Sequence, residues 1–268
     1  PTIVHVARIA GISPTTVSRV INRKNKGYSE KTKQKILKAV RDLNYLPDRR
    51  ARSLRGLKTQ VIGFMIPNFN LFFHDIARMF SNLCASKGYG VLVCSSEDNL
   101  ERQTANLDYL VHQAVDGVVI ISERIEGRRI DQLIQKDIPV VVLDEEISLT
   151  GAPAVLTDYY KAGVLATQYL IDLGHKRVAF IKGRSFVLSA KARFQGYTDT
   201  LRSNGLSIDK DLIKEGDFSY KSGYKATKKL LEESREGFSA IFSCCDFMAL
   251  GAMACIQDMG KKYPMIIL

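Results

Sequence analysis

Residues 2–22 read TIVHVARIAGISPTTVSRVIN. Ile3, Val6, Ala7 and Ala10 recur at helical spacing. Gly11 then breaks the pattern, as suits a residue that must take φ > 0 in a tight turn. Ser13 stands where an N-cap belongs, and Pro14 where the first helical residue would lie. The apolar spacing resumes at Val17, Val20 and Ile21. Two short helices joined by a glycine turn predict a helix-turn-helix, whose second helix enters a DNA major groove. With Val17, Val20 and Ile21 inward, Thr15, Thr16, Ser18, Arg19 and Asn22 face outward or flank the seam. A plain surface helix hairpin fits the same spacing, so the rest of the chain has to decide.

Charge is the first discriminator. The chain of 268 residues carries a formal net charge of +11. The first 60 residues hold 15 Lys/Arg against 3 Asp/Glu, and the remainder 24 against 25. All the excess positive charge therefore sits on one segment, which reads as a polyanion-binding head on a neutral globular body. A solubilising basic arm would not also carry apolar helical periodicity. The five cysteines, Cys84, Cys94, Cys244, Cys245 and Cys255, form no C-x-x-C pair, and the four histidines are scattered. That pattern argues against a zinc site and fits a reducing cytoplasm. No signal-peptide pattern and no apolar run of membrane-spanning length is present, so no membrane partner is expected.

After a basic loop, Arg23-Lys-Asn-Lys-Gly27, Ser29 is placed to cap a third helix through about Leu43. Ile36, Leu37, Val40 and Leu43 make its apolar stripe. Pro47 ends the head, assigned to residues 1–46. Residues 47–58 form a hinge: Asp48 to Gly56 is too short and too basic to stay helical alone in water. From Gln60 the texture becomes α/β. Strands are expected at Val61–Ile66, Tyr89–Cys94, Gly117–Ile121 and Val140–Leu143. Between them lie helices from Asp75 to about Lys87, Glu101 to about Gln113, and Arg128 to Lys136. The alternation restarts with a helix Tyr159–Leu173, a strand Arg177–Ile181 and a helix Ala190–Ser203. A short strand Ile213–Glu215, a helix Ser222–Glu233, a strand Ala240–Ser243 and a helix Phe247–Met259 follow, with Met265–Leu268 opening another strand. Two doubly wound parallel sheets make a two-lobed body, 59–157 and 158–268, with ligand in the cleft at the strands' carboxyl ends.

Ala7-x-x-Ala10-Gly11-Ile12-Ser13-x-x-Thr16-Val17-Ser18-Arg19-Val20-Ile21-Asn22 resembles the DNA-binding head of the lac repressor family of bacterial transcription regulators. The likeness continues through Tyr28-Ser-Glu-Lys-Thr32, Leu43-Asn-Tyr45 and Ala51-Arg-Ser-Leu54, then as scattered motifs almost to the end of the chain. It implies a repressor without a cofactor, acting as a homodimer on a palindromic operator. A small molecule, a sugar or sugar derivative, would control it from a periplasmic-binding-protein-like core. Thr2, Ser13, Pro14, Thr16, Ser18, Asn22, Tyr28 and Arg52 are the implied DNA contacts, with Thr15 and Arg19 expected to read bases and Lys24 to hold phosphate. On DNA the hinge would fold in the minor groove, with Leu54 wedged between base pairs.

The resemblance also proposes effector contacts. Phe72 and Phe73, in Asn70-Leu-Phe-Phe-His74, match an aromatic pair used against a ligand ring, although Leu71 stands where Pro is usual. At least one of the two is expected to be core. Arg193, in Ser189-Ala-Lys-Ala-Arg-Phe-Gln-Gly196, matches an arginine that donates to ligand oxygens in a forked geometry. Phe218 matches a cleft-lining position. Asp144 ends a strand in Val-Val-Val-Leu-Asp, a cleft-facing place in its own right. Cys245 replaces the usual asparagine before Asp246, and Asp246 either contacts ligand or caps the next helix. His5 replaces the usual aspartate in the first helix. The family continues past the point matching Leu268. On the resemblance the second lobe is expected to be incomplete, as in a piece of a longer protein, and dimerisation weak.

Two rival functions fail on the same residues. An enzyme on this fold would need G-x-G-x-x-G, a P-loop or a nucleophile elbow, and none is readable. A transport receptor would share the core but not the basic head.

Overall fold

The computed structural model describes residues 1–22, 27–46, 58–97, 99–121, 126–144, 151–234, 236–261 and 266–267. It divides into two compact units, residues 1–59 and 60–268.

The first unit has three helices: α1 (Ile3–Ala10), α2 (Pro14–Ile21) and α3 (Glu30–Asp42). Gly11 takes φ 65° at the end of α1, the left-handed conformation that makes the turn. Ser13 caps α2 by accepting from the Thr16 amide at 3.3 Å, and Ser29 caps α3 by accepting from Thr32 at 3.2 Å. Substituting such caps by alanine costs about 1 kcal/mol each. His5 answers for the missing aspartate. Its Nδ1 accepts from the Thr2 amide at 3.1 Å, closing the reciprocal cap that a carboxylate usually makes. Val6, Ala7, Val17, Val20, Ile36 and Ala39 fill one small core.

The second unit holds two parallel sheets. The first runs β2 (Gly90–Ser95), β1 (Val61–Ile66), β3 (Gly117–Ile120), β4 (Val140–Leu143), β5 (Ala154–Val155) in spatial order. Its helices are α4 (Leu71–Ser86), α5 (Leu100–His112) and α6 (Gly127–Gln135). The second sheet runs β7 (Ile213–Glu215), β6 (Val178–Lys182), β8 (Ala240–Ser243), β9 (Ile266–Ile267). With it go α7 (Tyr159–Asp172), α8 (Leu188–Ser203), α9 (Tyr220–Glu233) and α10 (Asp246–Asp258). Both sheets order their first four strands alike, the second in sequence at the edge and the first inside it, so each has a switch point beside its first strand.

Strand residues alternate between two buried faces, as a covered parallel sheet requires. In β1, Phe64 and Ile66 join one cluster and Met65 the other. In β6, Val178 and Phe180 face α8 residues Tyr197 and Leu201, while Ala179 and Ile181 face Leu230 and Met248.

Two helices start two residues earlier than expected, at Leu188 and Tyr220, and a short turn over Lys210–Leu212 was not anticipated; two further differences bear on the site. α4 begins at Leu71, not Asp75, because Asn70 accepts from the Phe73 amide at 3.0 Å and caps the helix. Residues 71–74 are therefore its first turn and not a loop. β5 was not anticipated, since two exposed residues carry no readable alternation; it is paired to β4 through the Asp144 amide on Val155 O at 2.8 Å.

Candidate DNA-reading face and effector cleft

On the head, Thr15 and Arg19 are exposed on α2. The Arg19 guanidinium lies over Gly27, so close that a Cβ there would sit 2.9 Å from it. Thr16 Oγ1 is 3.0 Å from the Ser13 hydroxyl, and Pro14 opens the helix. Asn22 turns back: its Nδ2 donates to Ser18 O at 2.8 Å and reaches Ser18 Oγ at 3.2 Å. Those two are half-buried in the protein as it stands, at the seam and not on the outer face. Tyr28 packs against the head's core, leaving only part of its surface for DNA. Thr2 is the exposed cap of α1. Lys24, Arg52, Leu54 and the hinge over 47–57 lie outside the described residues.

In the body, the expected cleft residues gather at the carboxyl ends of strands. Asp144 follows β4 with φ 67°, and Phe218 follows β7, also with φ 67°. Glu97, just beyond β2, has φ 50°. Left-handed backbone at non-glycine residues is costly, and persists where packing over-determines it, often at functional sites. Phe73 is 9% exposed and belongs to the core with Phe64, Ile66 and Ile121. Phe72 is 54% exposed and meets it edge-on at 5.2 Å. Only Phe72 of the pair is open to a ligand.

Arg193 is keyed into place from below. One turn further along α8, the Tyr197 ring stacks on Phe180 at 4.8 Å and its hydroxyl donates to Val178 O at 2.8 Å. On its outer side α8 meets α7 so closely that a Cβ on Gly163 would run into the Arg193 backbone, and one on Gly196 into Tyr160 O. Ser189 is half-buried in the first turn of α8. The Arg193 guanidinium lies 4.0 Å over the Tyr159 ring and also hydrogen-bonds Cys244. Tyr159 in turn donates its phenol to Asp144. Burial first, then the Asp144 carboxylate, pushes the Tyr159 phenol up to about 12, so it stays a donor at neutral pH.

At the second lobe's rim, the Phe218 ring packs against Gly183, and the Cys245 thiol donates to Phe218 O at 3.7 Å. Burial raises the Cys244 and Cys245 thiols, so both are protonated and poorly nucleophilic. Cys245, not Asp246, occupies the N-cap of α10; Asp246 is exposed in the first turn, where a carboxylate favours the helix dipole. Tyr159 is the residue that sequence reasoning missed. Its signal was slight: an aromatic directly after Asp158, which caps α7. Among the described residues no group of three His, Cys, Asp or Glu is placed to hold a metal, and no helix is long and apolar enough to cross a membrane.

Comparison with known proteins places these features. Residues 2–48 match the model for bacterial regulatory proteins of the lacI family. Residues 59–267 match the model for periplasmic binding proteins and the sugar binding domain of the LacI family. The HTH-type transcriptional repressor PurR of Histophilus somni is 35% identical over 98% of this chain and 79% of its own length. Catabolite control protein A of Priestia megaterium is 34% identical over the same shares. Among solved structures, the lac repressor dimer bound to operator and an anti-inducer superposes with a TM-score of 0.84 at 27% identity, covering 98% of this chain and 79% of that one. The CelR–cellobiose complex gives 0.69 at 28%, covering 100% and 81%.

Proposed function

We propose, from the premise that the chain belongs to the lac repressor family of DNA-binding transcriptional repressors, that its cleft is an effector site governed by Arg193. The family's members are regulators and not enzymes, with a ligand-binding sensor domain. In this reading residues 1–46 are the head, 47–58 the hinge, and 59–157 and 158–268 the two lobes.

The observation that carries the reading is the convergence of Arg193 and Asp144, from opposite lobes, on one half-buried phenol. A guanidinium stacked on a ring keeps its in-plane N–H donors for a ligand's oxygens. Phe72, Phe218 and Ser189 complete the lining, with Asp246 at the rim and Phe73 supporting Phe72 from the core. We assign the effector to sugars or sugar derivatives. Support comes from the sugar-binding family model and from the likeness to a cellobiose complex. The thiol at Cys245 is a weak partner for a ligand hydroxyl, which favours a derivative carrying an anionic or carbonyl oxygen for Arg193.

A homodimer on a palindromic operator is the matching assembly. α4 exposes Met79 and Leu83, and α10 exposes Leu250 and Met253, apolar side chains that a second copy would cover. A cytoplasmic location follows from the DNA target, and the free cysteines agree with it.

Thermal-shift screening against sugars, sugar phosphates and nucleobases finds the class, since a ligand of the native state raises the melting temperature. Arg193→Ala should abolish that shift and the compound's effect on operator binding, with operator affinity in its absence nearly intact. A variant that still responds normally defeats the assignment. On the head, Arg19→Ala should cost about 1–3 kcal/mol on the operator and little on random DNA. Equal losses on both would remove Arg19 from base readout.

A further inference from the structure

Asp144 and Arg193 are attached to the same side chain, although they belong to different lobes. Tyr159 is the first residue of α7, and its phenol donates to Asp144 Oδ2. The Thr157 side chain is also hydrogen-bonded to that phenol. The Tyr159 ring carries the Arg193 guanidinium on its face at 4.0 Å. Asp144 is fixed to the first sheet by its amide on Val155 O. α7 and α8 belong to the second lobe and interlock at Gly163 and Gly196. One residue therefore spans from the helix pair that holds Arg193 to the strand end that holds Asp144.

The two contacts constrain different things. A phenol–carboxylate bond is charge-assisted and stronger than a neutral one, so it fixes where Asp144 points and joins the lobes. Stacking fixes the plane of the guanidinium and leaves to a ligand those N–H groups of its edge that Cys244 does not engage. We propose that Tyr159 is the positioning residue that couples the lobes at the cleft, its ring setting the plane of Arg193 and its phenol tethering Asp144. A ligand that grips the edge of Arg193 then acts on the first lobe through Tyr159. A ligand hydroxyl that seeks Asp144 competes with the phenol already there. Such differential contact is what an effector needs to bias one arrangement of the lobes over another.

The inference rests on the reading of Arg193 and Asp144 as effector contacts, but its test needs neither effector nor DNA. Hydrogen–deuterium exchange is followed in the full chain for wild type, Tyr159→Phe, Tyr159→Leu and Tyr160→Phe. Tyr160 is the control, because its phenol reaches Asp199, at 3.5 Å, within the second lobe. Tyr159→Phe keeps the ring and loses the tether, so exchange over residues 140–144 should rise severalfold while residues 190–196 stay unchanged. Tyr159→Leu loses both contacts, so both segments should rise. Tyr160→Phe should leave 140–144 as in wild type. Unchanged exchange over 140–144 in Tyr159→Phe overturns the tether, and unchanged exchange over 190–196 in Tyr159→Leu overturns the stacking role. A rise confined to 159–165 would mean that Tyr159 only starts a helix. If instead Arg193→Ala responds normally to effector while these exchange changes occur, the effector reading falls and the coupling stands.

Discussion

The two lobes share a strand order, but the second adds a kind of packing that the first does not show. In the first, helices meet the sheet through side chains: Leu107, Leu110, Ile130 and Leu133 pack on one face, Phe73 on the other. In the second, helices also meet each other, with glycine at the crossings. Gly163 and Gly196 bring α7 and α8 into backbone contact, and Gly223 and Gly251 do the same for α9 and α10. Backbone cannot change rotamer, so these pairs resist sliding. Arg193 sits on this stiff wall, whereas Phe72 and Asp144 sit on a helix start and a strand end. The proposed effector site would then draw one wall from close-packed backbone and the other from side chains, and differential contact with the two is what would let a ligand bias the lobes. The first lobe should fail when side chains are deleted, and the second when they are added.

The largest effect tests the first half of that contrast. Phe73→Ala removes a buried ring from the core of the first lobe and should cost about 3 kcal/mol or more, read from the denaturant midpoint. Phe72→Ala, one residue away and exposed, should stay within about 0.5 kcal/mol and lower only effector affinity. If the two variants lost equal stability, the division of the pair into core and cleft would be wrong.

The second half calls for additions. Gly163→Ala places a methyl against the backbone of Arg193 and should cost about 2–3 kcal/mol, because neither helix can yield locally. It should also weaken effector binding by shifting Arg193. Gly63→Ala is the matched change in the first lobe. Its methyl would meet the two methyls of the buried Leu110 side chain, at 2.8 and 3.0 Å, a side chain and not a backbone, so the contact has more room to adjust. About 1 kcal/mol is expected there. A reversed order of the two midpoints would break the comparison between the lobes.

How much of this was legible in the sequence follows the same line. Gly11, Ser13, Pro14 and Ser29 act on residues within four positions of themselves, so the head could be read from spacing. Apart from β5 and the short β7, the strands of both sheets were readable as short apolar runs between breakers. The start of α4 was missed because Asn70 can open a turn or cap a helix, and the choice between them depends on Phe73 finding a core. That His5 would complete a cap was open, since its ring nitrogen accepts only in one tautomer and orientation. The bond between Tyr159 and Asp144 spans two lobes and the strand β5, which carried no pattern of its own. A tertiary contact of that kind leaves no periodic trace in the sequence.

The smallest expected effect probes the Tyr159 phenol by pH, where burial and the Asp144 carboxylate both act on its proton. Tyr159 ionises near 12 in the folded protein, against about 10 for a free tyrosine. Below pH 10 the phenol is protonated in both folded and unfolded chains, and the neutral, half-buried, Asp144-bonded phenol stabilises the fold in full. As pH rises from 10 towards 12, the unfolded chain loses this proton first, so the unfolded state gains and the contribution fades. Tyr197, raised further by burial, fades in the same direction but is present in both proteins being compared. Tyr159→Phe should therefore melt below wild type at pH 8, with the gap narrowing between pH 10 and 12. The change should be modest, because Tyr159 is only partly buried and solvent screens its charge. A gap that stayed constant across that window would show that neither burial nor the Asp144 carboxylate holds the phenol's proton in the folded protein.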